Sequence, residues 1–290
     1  ASFEITKPEP FVKGLVPTDC EFGPDGAFYW SDWIGGWAPQ NRGRIFRVTD
    51  PEAMKNPQVK EAQKLLAEGF EKKSVDELVK LLALPHQHVR QEAQFELAAR
   101  GAAAVPAFEG VLKGSKDRLA RLHAVWGLGQ VARQHREALP PLVACLTDKD
   151  AEAKRAAAEQ LGSVVRHSGK VEPVPGVNEI QDALGKLFVD PDDRVKAAAA
   201  LAFGKIGQRP TQFRPVGEMG YYAPLFDLLR SNSDKDPYLR HAAVMGLVHV
   251  ARNPIDVFNA WTVAKEQAKD KYDVAPVRLG VALALRKHKS

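Results

Sequence analysis

One basic residue recurs in register along most of this chain: Arg90, Arg121, Lys154, Lys196, Arg240 and Arg278, at intervals of 31, 33, 42, 44 and 38 residues. An apolar residue stands just before each one, namely Val89, Ala120, Ala153, Val195, Leu239 and Val277. Three residues after it come Ala93, Ala124, Ala157, Ala199, Ala243 and Val281, and seven after it Leu97, Leu128, Leu161, Phe203, Leu247 and Leu285. These offsets fall on one face of an α-helix, so each unit holds a helix with a buried stripe. A spacing of this size is the mark of stacked repeats.

Upstream of each such helix lies a second apolar motif: Leu78 to Leu82, Phe108 to Leu112, Leu142 to Leu146, Leu184 to Phe188 and Leu225 to Leu229, with Val257, Phe258 and Trp261 in the sixth unit. These predict the outer helices of helical hairpins. One hairpin cannot bury its own faces, whereas stacked hairpins bury them continuously. The turns between the helices carry acids: Asp117, Asp148 or Asp150, Asp192 or Asp193, and Asp234 or Asp236. A carboxylate there caps the free amides of the following helix and can reach the basic residue of its own or the next unit. The basic ladder therefore has a structural role.

The register of outer helix, acidic turn, basic residue, then small and large apolar positions resembles HEAT repeats, six of them across residues 74 to 289. The resemblance implies a mainly α fold, a HEAT-type α-solenoid of about six helical hairpins acting as an interaction scaffold. The first unit departs from the pattern, with Pro85-His86-Gln87 in its turn. At ten past the ladder residue, interior units have Val131, Val164, Ile206 and Val250, while the ends have Arg100 and His288, as capping units require. Two Pro- and Gly-bearing inserts, Ser168 to Asn178 and Gln208 to Tyr222, read as surface loops. The second offers Phe213, Arg214, Tyr221 and Tyr222 as a candidate partner surface or, for the tyrosines, as staples at a helix start.

The front of the chain is different. Thr18 to Phe22 and Ala27 to Ser31 read as strands joined by Gly23-Pro24-Asp25-Gly26, and Gly43 to Thr49 reads as a third strand after a loop rich in Gly and Trp. That is about one blade of a β-propeller, a fold that needs four or more blades to close. The division expected is a blade-like β-unit at 1–50, a linker with a helix at 51–73 and the repeat array at 74–290.

Pro17-Thr18-Asp19, Phe22-Gly23-Pro24-Asp25-Gly26, Ser31-Asp32-Trp33 and Gly43-Arg44-Ile45-Phe46-Arg47-Val48 resemble the final blade in planctomycete-type exported dehydrogenase-like proteins. In that family a glucose/sorbosone-dehydrogenase-like propeller precedes HEAT repeats and a c-type cytochrome domain. The resemblance implies a periplasmic or secreted setting and a parent enzyme oxidising a sugar or alcohol, with pyrroloquinoline quinone, calcium and haem c as its cofactors. None of these groups is expected on this segment. The other blades are missing, and neither cysteine, Cys20 or Cys145, belongs to a Cys-x-x-Cys motif. A blade awaiting its neighbours predicts that Trp30, Trp33 and Trp37 are poorly buried, so they join the candidate partner surface.

Composition narrows the rest. With 44% hydrophobic and 27% charged residues the chain is built like a globular protein, and no stretch matches a signal peptide or a membrane span. It begins at Ala1 with an opening that reads as mid-fold, which points to a processed or excised polypeptide. A net charge of +5, with acids matching the ladder, favours protein partners over nucleic acid. A HEAT-like DNA-binding protein or DNA-repair glycosylase, using Trp126 and Trp261, is the alternative expectation. His86 with His88, and His241 with His249, lack further ligands for a metal site, and Asp25 and Asp32 read as turn and strand-end hydrogen-bonding groups. No His-Glu pair, phosphate loop or nucleophile elbow is present, so no catalytic constellation is identified.

Overall fold

The computed structural model describes residues 6–35, 41–167, 176–207, 219–251, 253–268 and 271–288. The chain divides into two compact units, residues 2–96 and 97–290.

In the first unit, β1 (Pro17–Phe22), β2 (Phe28–Asp32) and β3 (Arg44–Val48) form an antiparallel sheet in the order β1-β2-β3. The strands fall within a residue of their expected ends. The β1–β2 turn closes because Gly23 N donates to Ala27 O at 2.8 Å and Asp25 Oδ1 accepts from Ala27 N at 3.1 Å. Gly26 has φ +75°, a left-handed conformation that glycine adopts without strain. Pairing places Cys20, Trp30 and Phe46 in one cross-strand row and Phe22, Phe28 and Val48 in the next row of that face. Glu21, Tyr29 and Arg47 share the opposite face.

Helix α1 (Pro57–Glu68) starts at Asn56, whose side chain accepts from Gln58 N, with Pro57 as its first residue. Helix α2 (Val75–Leu81) opens on a reciprocal capping box between Ser74 and Glu77. Helix α3 (Gln87–Ala99) crosses the boundary between the two units.

The second unit continues as five hairpins: α4 (Val105–Gly114) with α5 (Arg118–Val131), α6 (Leu139–Ala144) with α7 (Ala151–His167), α8 (Val177–Lys186) with α9 (Asp193–Gly207), α10 (Met219–Asn232) with α11 (Pro237–Val250), and α12 (Pro254–Gln267) with α13 (Ala275–His288). The inner helices stack in sequence, α5 on α7, α7 on α9, α9 on α11 and α11 on α13. Every residue of the expected stripe is buried except Leu285, which is half-buried. Phe108, Leu142, Leu184, Leu225 and Val257 bury the outer helices.

The stack closes through small residues. A Cβ added to Gly162 would lie 2.8 Å from Ala202 Cα, and one added to Gly204 would lie 2.7 Å from Gly246 Cα and 2.8 Å from its carbonyl oxygen. Main chain meets main chain there, with no flexible side chain to yield. Gly204→Ala should therefore cost about 1–3 kcal/mol. Gly110→Ala on α4, where an added Cβ meets nothing within 4 Å, should instead leave stability unchanged or raise it by up to about 1 kcal/mol. Urea unfolding of the two variants beside the parent chain checks both.

Candidate functional site

Each ladder cation is held by an oxygen. Arg121 Nη2 donates to Asp148 and Lys154 Nζ to Asp190, in each case a carboxylate in the turn of the following unit. Arg240 donates to Asp234, Lys196 to Asp193 at 2.7 Å and Arg278 to Asp273 at 3.1 Å, all within their own units. Arg90 is buried, and its Nη1 donates to the carbonyls of Leu84 and Pro85, both at 2.7 Å. Those carbonyls stand where the other units have an acid, which explains the departure of the first turn.

The turns divide their work between two aspartates two residues apart. Asp148, Asp190 and Asp234 take the cations, whereas Asp150, Asp192 and Asp236 cap the inner helices. Asp150 Oδ1 accepts from Glu152 N at 3.0 Å, Asp192 Oδ1 from Arg194 N at 2.8 Å, and Asp236 Oδ1 from Tyr238 N at 2.7 Å. Alongside runs a network that alignment by residue type misses. Arg118 pairs with Asp150 at 2.8 Å, Arg194 with Asp192 at 2.8 Å and with Glu152 at 3.5 Å, and Arg155 with Glu152 and Glu159. The Arg194 guanidinium, with the amides it sits among, pulls Asp192 down to about 2. Arg118 lowers Asp150 in the same way, and Arg155 lowers Glu152.

The sheet supplies a second surface. Trp30 is only 7% exposed, because Phe46 stacks on it at 5.4 Å and Phe28 lies 5.7 Å away. The expectation that Trp30 would be poorly buried is thus corrected: Phe46 across the pairing and Phe28 on its own strand pack against it. Around it the same face stays open, with Phe22 at 61% and Val48 at 41% exposure, and Phe11 packed edge-on to Phe28. Trp33 is 41% exposed, while Trp37 lies outside the described residues. On the opposite face Asp25 accepts from Arg47 at 2.7 Å and Tyr29 at 3.0 Å, and at the strand end Asp32 accepts from Arg44 at 2.6 Å and Val16 N at 2.8 Å.

The second insert is outside the described residues up to position 218, Phe213 and Arg214 included. Tyr221 is half-buried, and Tyr222 is buried with its ring stacked 6.3 Å from Phe226, so Tyr222 packs in its own hairpin instead of facing a partner. Trp126 meets buried His123 edge-on at 5.0 Å, and Trp261 donates to Tyr272 O at 3.1 Å beneath Lys265. His88 Nε2 lies 3.3 Å from Glu21 Oε1, and burial lowers the pKa of His86 beside it. Cys20 is exposed and Cys145 buried; both are free thiols, and burial pushes Cys145 up to about 11. Among the described residues no three His, Cys, Asp or Glu side chains converge as metal ligands. Among the described residues Asp25 and Asp32 are engaged by arginines and each cysteine stands alone, an arrangement that fits neither calcium nor haem c.

The hairpins, their register and their paired turns define a helical-repeat scaffold. Residues 105–175 match the family model of HEAT repeats. No curated protein matches the chain. Among solved structures, an engineered protein is 22% identical, with 75% of this chain and 97% of that one covered at a TM-score of 0.43. A designed armadillo repeat protein in complex with the peptide (KR)4 is 18% identical, covering 74% and 99% at a TM-score of 0.44. Human deoxyhypusine hydroxylase in complex with glycerol is 19% identical, covering 74% and 96% at a TM-score of 0.37.

The ladder makes its own strength measurable. Asp190→Ala strands the largely buried Lys154 ammonium and should cost about 3 kcal/mol. Asp193→Ala breaks a solvated pair and should cost less than about 1 kcal/mol, both read from urea midpoints. Acid provides a separate check. Asp192 has a folded value near 2, below the usual carboxylate range, so its contribution is complete above the unfolded value of about 3.9 and is lost as pH falls through the folded one. Asp192→Asn keeps a capping oxygen but no charge. The gap between its melting temperature and that of the parent should be constant above about pH 5 and close between about pH 4 and about pH 2.

Proposed function

We propose that this chain is a protein-interaction scaffold within a larger exported dehydrogenase-like protein or its complex. The observation that carries the reading is the three-stranded sheet, whose aromatic face leaves Phe11, Phe22 and Val48 exposed. Its outer strands β1 and β3 each pair on one side only among the described residues. Open edges and an open apolar face are what a sheet presents to further β-structure. The partner proposed is a neighbouring β-propeller-like domain, for which this sheet acts as a terminal blade, in a periplasmic or secreted setting. Sugar or alcohol oxidation, and the quinone, calcium and haem c that serve it, belong to other parts of that assembly. This chain supplies orientation and attachment.

The alternative of a DNA-binding or glycosylase protein finds less support in these residues. Its ladder cations are engaged by carboxylates or carbonyls that phosphate would have to displace, and Trp126 and Trp261 are occupied by packing and hydrogen bonding. Among the described residues no helix is long and apolar enough to cross a membrane.

The test is the intact mass of the native polypeptide under denaturing conditions, with a visible spectrum of the same sample. The expected result is a mass well above 31.8 kDa with a haem Soret band. A native polypeptide of 31.8 kDa that copurifies with no β-propeller or haem protein would overturn the reading.

A further inference from the structure

The aromatic face of the sheet carries an occupant from its own chain. Phe28 is the hub of that face, with the ring of Phe22 at 5.1 Å, that of Trp30 at 5.7 Å and that of Phe11 at 5.7 Å, the last meeting it edge-on at 85°. Phe11 does not belong to the sheet. It is the one aromatic residue between Thr6 and Val16, a stretch that precedes β1 and has no regular secondary structure.

This stretch is fixed at its downstream end and loose before it. Val16 is held through both main-chain groups, its N donating to Asp32 Oδ1 at 2.8 Å and its O accepting from Trp33 N at 3.0 Å. Residues 6–14 are exposed, and among the described residues no hydrogen bond ties residues 6–15 to the sheet. Lys7 pairs with Glu9 inside the stretch itself. Gly14, two positions before the anchor, has φ +77°, and a Cβ added there would meet nothing within 4 Å, so the chain can pivot at a residue with little torsional or steric resistance.

The contact of Phe11 with Phe28 is what seats the stretch. An aromatic pair of this kind biases an equilibrium by roughly two- to tenfold, enough to favour the seated state and too little to make it permanent. Phe11 stays 75% exposed while seated, so little burial resists its release. The seated face also has an unmet demand. Trp30 Nε1 is buried without a hydrogen-bond partner among the described residues, and a phenylalanine ring supplies no carbonyl to accept from it, whereas incoming β-structure does.

We propose that residues 7–15 are a displaceable strap: Phe11 caps the aromatic face through Phe28 and swings away about Gly14 when further β-structure docks. The strap is thus an autoinhibitory contact on the docking face. It rests on the reading of the sheet as a docking surface and adds the regulation of that surface.

The test uses the full chain, with para-fluorophenylalanine placed at position 11 alone and read by fluorine NMR, and with the dye anilinonaphthalene sulfonate as the probe of the face. Two variants unseat the strap by different routes. Phe11→Ala removes the ring, and Gly14→Pro forces φ to about −65° and redirects the stretch while keeping every apolar side chain. Both positions are exposed, so the sheet is expected to stay intact. In the parent chain the fluorine resonance should lie away from its position in the urea-unfolded chain, because the Phe28 ring shifts it, and in Gly14→Pro it should move to that position. Dye fluorescence should be at least about twofold higher in both variants than in the parent. A parent resonance at the unfolded position overturns the proposal, and so does equal dye fluorescence in all three chains. These measurements decide the strap, whereas the native mass and haem band decide the assembly, so either can fail without the other.

Discussion

Main-chain contact between inner helices is the constraint on which the second unit depends. Gly162 against Ala202, and Gly204 against Gly246, leave no room for a Cβ between neighbouring helices, so the large apolar side chains are displaced to the flanks. Leu128, Leu161, Phe203 and Leu247 are buried on these same helices, Phe203 with its ring 5.3 Å from Phe188. The close approach also brings each turn close enough to its neighbour for Arg121 and Lys154 to cross to Asp148 and Asp190. Small residues set the spacing, and the ion pairs exploit it.

The two-aspartate turn serves two demands at once. A helix start needs an acceptor aimed at its free amides, while a ladder cation needs one aimed sideways across the stack. Asp190 and Asp192 point in these two directions, and the amide of Asp192 donates to Asp190 Oδ1 at 2.9 Å, tying the two together. Capping and bridging then reinforce one another. The same carboxylates neutralise the ladder from Arg121 onward.

The helical register was legible because burial repeats: the positions before, three after and seven after each ladder cation are chosen by one packing geometry used six times. The strands were legible from turn chemistry around Gly23 to Gly26. Where a residue depended on a partner distant in sequence, the pattern was silent. Trp30 is covered by Phe46, a neighbour fixed only by the pairing of β2 with β3. Asp190 had no place in the expected acid set, and a turn carboxylate was expected to reach the cation of its own or the next unit, whereas Asp148 and Asp190 take those of the unit before. The Arg118, Glu152 and Arg194 network escaped for another reason. Corresponding positions in successive units carry different residue types, and their complementarity appears only when the helices are side by side.

The ladder also sets how the stack comes apart. The pairs Arg121–Asp148 and Lys154–Asp190 join successive hairpins from α5 to α9, whereas Lys196, Arg240 and Arg278 are tied within their own units. Opening a hairpin in the first group strands a charge on its neighbour, a carboxylate or a cation, which couples the opening of those units. Beyond α9 each hairpin keeps its charge partner when it detaches, so the ladder adds no such coupling there. One stack thus contains two kinds of charge junction, and the difference lies in which side of a turn an arginine or lysine reaches toward.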